Sequence, residues 1–163
     1  MKKLIFLLLL IPFALQGQVL PGAVSSQSVG AAVSDTLSSE MITNGVFDST
    51  TGWTYEAIWS ISGGHATYDN VSAGYYLNQS NADMISPTEN NTTYRMEFDI
   101  VGNASFRIES AVRLTIFVDY GGYNTGHHVV RFKITAGYGG GITITANGNG
   151  VFTIDNISLK KVL

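Results

Sequence analysis

Glu97 and Asp99 stand two residues apart in a stretch that alternates apolar and polar side chains. Both carboxylates therefore point to one face of a strand. A pair of carboxylates can run glycoside hydrolysis as acid and base. Arg95 shares that face, however, and a solvated charged surface accounts for all three residues. His127 and His128 are neighbours in another alternating stretch. Strand neighbours face opposite sides, so these two imidazoles do not chelate one metal together. Asp155 and Asn156 interrupt the last alternating stretch. Phe152 and Ile154 keep a period of two, and Ile157 and Leu159 resume it one residue out of phase. A slip of one residue swaps the faces, and a bulge at Asp155-Asn156 repairs it. A carboxylate and an amide at such a kink suit a cation. The expected partner stretch is Asn44-Gly45-Val46-Phe47-Asp48, followed by Gly52-Trp53, so that the two ends of the domain meet. No Gly-x-Ser-x-Gly, His-Glu-x-x-His or phosphate loop is present. The sequence offers no catalytic constellation, and a non-enzyme is expected.

The elements that must position these residues are strands. Tyr94, Met96, Phe98 and Ile100 alternate with Arg95, Glu97 and Asp99, as a half-buried antiparallel strand does. Phe106 and Ile108 alternate with Arg107 and Glu109. A strand is expected from Val112 through Leu114, Ile116 and Val118, with Phe117 on its opposite, polar face, and a Gly/Tyr/Asn-rich loop from 119 to 126. His128, Val130, Phe132 and Ile134 form the next strand, and Ile142, Ile144 and Ala146 alternate with threonines. Upstream, Met41-Ile42-Thr43 reads as a first strand, 58–61 and 65–68 as a hairpin, and 74–79 as a strand with Tyr75 and Leu77 facing one way and Tyr76 and Asn78 the other. Asp83-Met84-Ile85 reads as a short strand inside a loop. Strands at this spacing, separated by Gly- and Asn-rich turns, make an all-β sandwich or barrel; two antiparallel sheets packed as a β-sandwich are expected.

Composition agrees. The chain has 163 residues, 45% hydrophobic, with 18 glycines, 3 prolines and no cysteine. That suits one domain without disulfides or thiolate metal sites. Residues 1–17 read as a secretory signal: Lys2 and Lys3, then an apolar run from Leu4 to Leu15 too short to span a bilayer comfortably. An uncleaved anchor is the competing reading. Residues 18–39 are Ser/Ala/Val/Gly-rich and read as a linker or loose arm, with an edge strand at 29–33 as one option, and 40–163 as the folded domain. Setting Lys2 and Lys3 aside leaves 7 of the 9 basic residues against 12 acidic ones, a net of −5. That argues against nucleic acid and anionic membrane surfaces as partners.

Five stretches in register carry a resemblance. They are Asn44-Gly45-Val46-Phe47-Asp48 with Gly52-Trp53; Trp59-Ser60-Ile61-Ser62-Gly63-Gly64-His65-Ala66; Leu77-Asn78-Gln79; Thr93-Tyr94-Arg95-Met96-Glu97-Phe98-Asp99; and Ile154-Asp155-Asn156-Ile157-Ser158-Leu159. In order and spacing they resemble the carbohydrate-binding modules of families four and nine, over residues 41–162. The resemblance implies a galactose-binding-like jelly roll. It implies a structural Ca2+ held by Asp48 and Asp155 with carbonyls of 43–45, although the family commonly has Glu at the first position and an acidic pair at the second. It also implies a sugar on a concave sheet face or rim. The candidates are Tyr76, Asn78, Gln79, Phe117, Tyr120 and Tyr123, with Tyr55, Tyr75 and His127 behind them, and Phe117 as the most telling because it interrupts a polar face. Trp53 and Trp59 are assigned to packing. The expected function is a secreted, non-catalytic module binding a carbohydrate polymer or glycan, outside the cell, at its surface or in the periplasm. The alternative is a structural or adhesive jelly roll of a cell-surface or virion assembly, oligomeric or with a protein partner.

Overall fold

Alternation sets the strands. Along Thr92–Gly102, Tyr94, Met96, Phe98 and Ile100 are buried, while Arg95, Glu97 and Asp99 stay half-exposed. The computed structural model describes residues 35–163 apart from 71, 72, 114, 136, 138, 139 and 149. The signal-like segment and residues 18–34 lie outside the described residues. Ten strands follow in chain order: β1 (Thr54–Tyr55), β2 (Trp59–Ser62), β3 (His65–Asn70), β4 (Ala73–Ser80), β5 (Thr92–Gly102), β6 (Ala104–Ser110), β7 (Ile116–Tyr123), β8 (Gly126–Ile134), β9 (Gly141–Asn147) and β10 (Gly150–Lys161). They form two antiparallel five-stranded sheets, ordered β1-β4-β9-β6-β7 and β2-β3-β10-β5-β8. No helix among the described residues is long and apolar enough to cross a membrane.

The inner faces of the two sheets make one core. Leu77, Phe106, Ile108, Ile142, Ile144 and Ala146 come from the first sheet, and Trp59, Tyr68, Tyr94, Met96, Phe98, Phe152 and Ile154 from the second. Trp59 meets Phe152 edge-on, with ring centroids 5.6 Å apart. Trp53 is buried too, and its Nε1–H donates to the Asn44 carbonyl at 3.0 Å.

The bulge expected at Asp155-Asn156 is present. Pairing of β10 with β5 shifts register between Asp155 and Ser158, and Asn156 takes a φ of 52°. The two ends of the domain meet there. The Ile157 N–H donates to the Gly45 carbonyl at 2.9 Å, and a Cβ on Gly45 would overlap the Ile157 carbonyl oxygen.

Four expectations about elements are corrected. Residues 41–43 are not a strand, although Met41 bonds Leu159 and Ile85 through its backbone. Residues 83–85 are turn and bend. The described part of 18–39 is not loose: Leu37 bridges Val162, and the Ser38 N–H bonds the Lys161 carbonyl. The strand placed at 112–118 starts later. Ala111 to Arg113 is a turn, and β7 runs through the stretch read as a loop. Two extra residues bulge β7 against β6, between Phe106 and Ile108 and between Ile108 and Glu109, so its side chains change face twice.

Candidate functional site

The outer face of the first sheet is polar across its width. Cross-strand pairing places Thr54, Asn78, Thr143, Glu109 and Ile116 in one row over all five strands. A second row holds Tyr76, Thr145 and Arg107. The bulge in β7 turns Tyr120 toward this row, and the Arg107 guanidinium lies 5.3 Å from its ring centroid.

Outward residues of a sheet are normally wet. Here Thr143 and Thr145 are 0% exposed and Glu109 is 1% exposed. The turn after β6 supplies the cover, reaching from β6 over β9 to β4. The Asn78 amide donates to the Ala111 carbonyl at 3.2 Å. Arg113 donates to the Gly74 carbonyl at 3.2 Å and holds its guanidinium 5.0 Å from the Tyr76 ring centroid.

A carboxylate as deep as Glu109 needs partners to remain charged. Arg107 Nε stands 3.1 Å from its Oε2, near enough for an ion pair though not aligned as a hydrogen bond. Arg113 Nε is 3.5 Å from Oε1, which also accepts the Thr145 hydroxyl. Besides Arg107 Nε, two buried polar atoms on this floor find no hydrogen-bond partner among the described residues: Asn78 Oδ1 and Thr143 Oγ1. A buried, unpaired polar atom costs roughly 1–3 kcal/mol, so such atoms are met by an ordered water or by a group from outside.

Of the residues singled out in the sequence, Tyr76, Asn78 and Tyr120 lie on this face, with Tyr76 and Asn78 on β4, Tyr120 on β7 and both β9 and β6 between them. Three others do not. Gln79 is fully buried, its amide locked onto Thr43, accepting from N–H at 2.9 Å and donating to C=O at 2.8 Å. Phe117 is not on the polar face: the bulge turns it inward, where it stacks on Phe132 at 5.4 Å. Tyr123 packs on Phe106 and Phe98 at 4.6 and 5.1 Å, and burial raises the pKa of its hydroxyl. Tyr55 and Tyr75 also pack against the core. Arg107, Glu109, Thr143 and Thr145 of the floor, and Arg113 of the turn above it, were not singled out. Their alternation was visible, but the register that aligns them was not.

His127 lies on the outer face of the other sheet, clamped between carboxylates. Nδ1 is 2.8 Å from Asp99 and Nε2 is 3.2 Å from Glu97. The Asn156 amide donates to the other Asp99 oxygen at 2.7 Å, and Arg95 pairs with Glu97. The Asn156 amide and His127 lower the pKa of Asp99, and the bond to Asp99 raises that of His127. His128 faces the opposite way, stacked on Phe98, as the alternation required.

The donors implied for calcium fit an ion poorly. The carbonyls of Thr43, Asn44 and Gly45 already accept Gln79, Phe47 with Trp53, and Ile157 respectively. Asp155 Oδ1 accepts the Asn156 N–H, and Asp48 is exposed. Calcium takes about 6–8 oxygens, and the described residues hold no group of three or more His, Asp or Glu able to share an ion. A separate crevice lined by Ser38, Met41, Pro87, Glu89 and Lys161 holds about 150 Å³, below the ~300 Å³ at which ligand pockets begin.

No protein-family model matches the sequence, and no curated protein does either. Solved structures do share its fold. A CBM4 module matches with a TM-score of 0.52 at 13% identity, over 70% of this chain and 97% of that one. The CBM22-1–CBM22-2 tandem domain of Xyn10C from Paenibacillus barcinonensis matches with a TM-score of 0.52 at 10% identity, over 81% of this chain and 48% of that one. The enzymatically active domain of tailspike protein 4 from bacteriophage CBA120 matches with a TM-score of 0.51 at 14% identity, over 76% of this chain but 21% of that one. At such identities the likeness is one of fold, and it spans more than one module type. The chain folds as an all-β sandwich of the jelly-roll kind, with a roofed polar floor on the outer face of one sheet.

Proposed function

We propose that this chain is a non-catalytic module that holds a glycan on the outer face of the first sheet. One observation carries the reading. Asn78 Oδ1 and Thr143 Oγ1 are buried without partners on a floor flanked by Tyr76 and Tyr120. Saccharide hydroxyls both donate and accept, so they complete such atoms, while flanking rings exclude water around them. The CBM4 and CBM22 neighbours support this through fold, and the signal-like 1–17 supports a location outside the cytoplasm.

Affinity electrophoresis against neutral and acidic polysaccharides tests the reading. Retardation by at least one polymer is expected, weakened in Asn78→Ala and Tyr76→Ala. If no polymer slows the protein, the sugar reading is wrong. The assembly alternative then takes its place. It has its own observation, since Val101, Val129 and Val151 stand exposed on the outer face of the second sheet.

A further inference from the structure

The ring surfaces nearest the floor are already covered by cations. Arg113 lies over Tyr76 and Arg107 over Tyr120. A neutral pyranose stacks its C–H face on a bare ring. To use these faces it must push a guanidinium off, and for Arg113 that also breaks the bonds to Gly74 and Glu109. An anionic saccharide needs the guanidinium where it is. Both arginines face the one buried glutamate, whose oxygens are already engaged by Arg107, Arg113 and Thr145. Glu56 and Asp119 each accept one backbone N–H, of Tyr76 and Tyr120, and remain anionic. A guanidinium presents a planar fork of N–H donors that matches the two oxygens of a carboxylate or sulfate.

We infer that the ligand is an anionic saccharide whose carboxylate or sulfate is held by Arg107 and Arg113, each backed by a tyrosine ring. This rests on the glycan-binding reading above and names its ligand class. Titration calorimetry with two polymer pairs tests it: polygalacturonate against its methyl ester, and dextran sulfate against dextran. In one pair the acidic member binds at least about tenfold more tightly at low salt. The winning pair tells uronate from sulfate, and added salt erodes the difference. Arg113→Ala loses about tenfold on the acidic polymer. Arg131→Ala, on the other sheet, controls for loose attraction and leaves binding unchanged. Three results overturn the inference while leaving glycan binding intact. They are neutral members binding as well as acidic ones, equal losses in Arg131→Ala and Arg113→Ala, or tighter neutral binding in Arg113→Ala because its ring is bared. Binding to no polymer of either kind removes both readings.

Discussion

Asn78 and Gln79 are adjacent and carry the same amide, yet the strand sends one to each side of the sheet. Asn78 keeps an unpaired oxygen on the polar floor, whereas Gln79 is spent on Thr43. Their alternation was legible in the sequence; what Gln79 would meet inside was not, because Thr43 lies 36 residues away. Gln79→Ala leaves the Thr43 N–H and C=O without their partner. Stability falls by about 1–3 kcal/mol, read as a lower urea midpoint. Glycan affinity of the folded fraction stays as it was, and a selective loss of affinity would contradict the assignment. His127 supports a second prediction at this scale. Its pKa is raised above the ordinary 6.5, so its contribution is full below that value and fades as pH rises through the folded value. The pKa of Asp99 is lowered below the ordinary 3.8, so its contribution is full above that value and fades as pH falls through the folded value. The pair is therefore strongest between pH 3.8 and 6.5. The melting temperature of His127→Gln lags wild type most inside that window and converges with it in alkaline buffer. A gap independent of pH would mean the ring matters only as packing.

The strand β7 shows where reading by alternation fails. A period of two assumes that every residue pairs, but β7 carries two that do not. The first bulge turns Tyr120 out under Arg107, and the second turns Phe117 in onto Phe132. Nothing local in 112–123 marks either slip, since Gly, Tyr and Asp suit loops as well as bulges. At 154–157 the sequence did show its bulge, because the apolar pattern resumed on both sides. The consequence is a separation of effects. Phe117→Ala lowers stability by about 1–3 kcal/mol, less than a fully buried ring, and spares ligand binding. Tyr120→Ala, at 39% exposure, does the reverse. Measuring both variants by denaturation and by titration exposes any error in which of the two faces the core.

At the scale of the molecule, the ends are what hold the sandwich closed. Glu40 accepts the backbone N–H groups of Met41, Ile42 and Leu159 and the Ser158 hydroxyl. Gly45 bonds Ile157, and β10 lies between β3 and β5 in the middle of its sheet. The meeting of the ends was readable from the paired motifs; of the calcium donors attached to it by resemblance, the carbonyls of 43–45 and one Asp155 oxygen already accept hydrogen bonds. A chelator is accordingly expected to leave the melting temperature unchanged, and a drop on adding one would restore the ion.

The position of β10 has a consequence for how the protein is made. A polypeptide is born from its N-terminus, so the twelve residues of β10 are the last of its strands to appear. Until they arrive, β3 and β5 have no common neighbour, and Glu40 and Gly45 lack their partners Ser158, Leu159 and Ile157. The second sheet thus closes only after β10 has emerged. A nascent chain paused before Gly150 remains an open thread for a chaperone to hold. A chain truncated before Gly150 yields no smaller sandwich, but an open product that proteases clear.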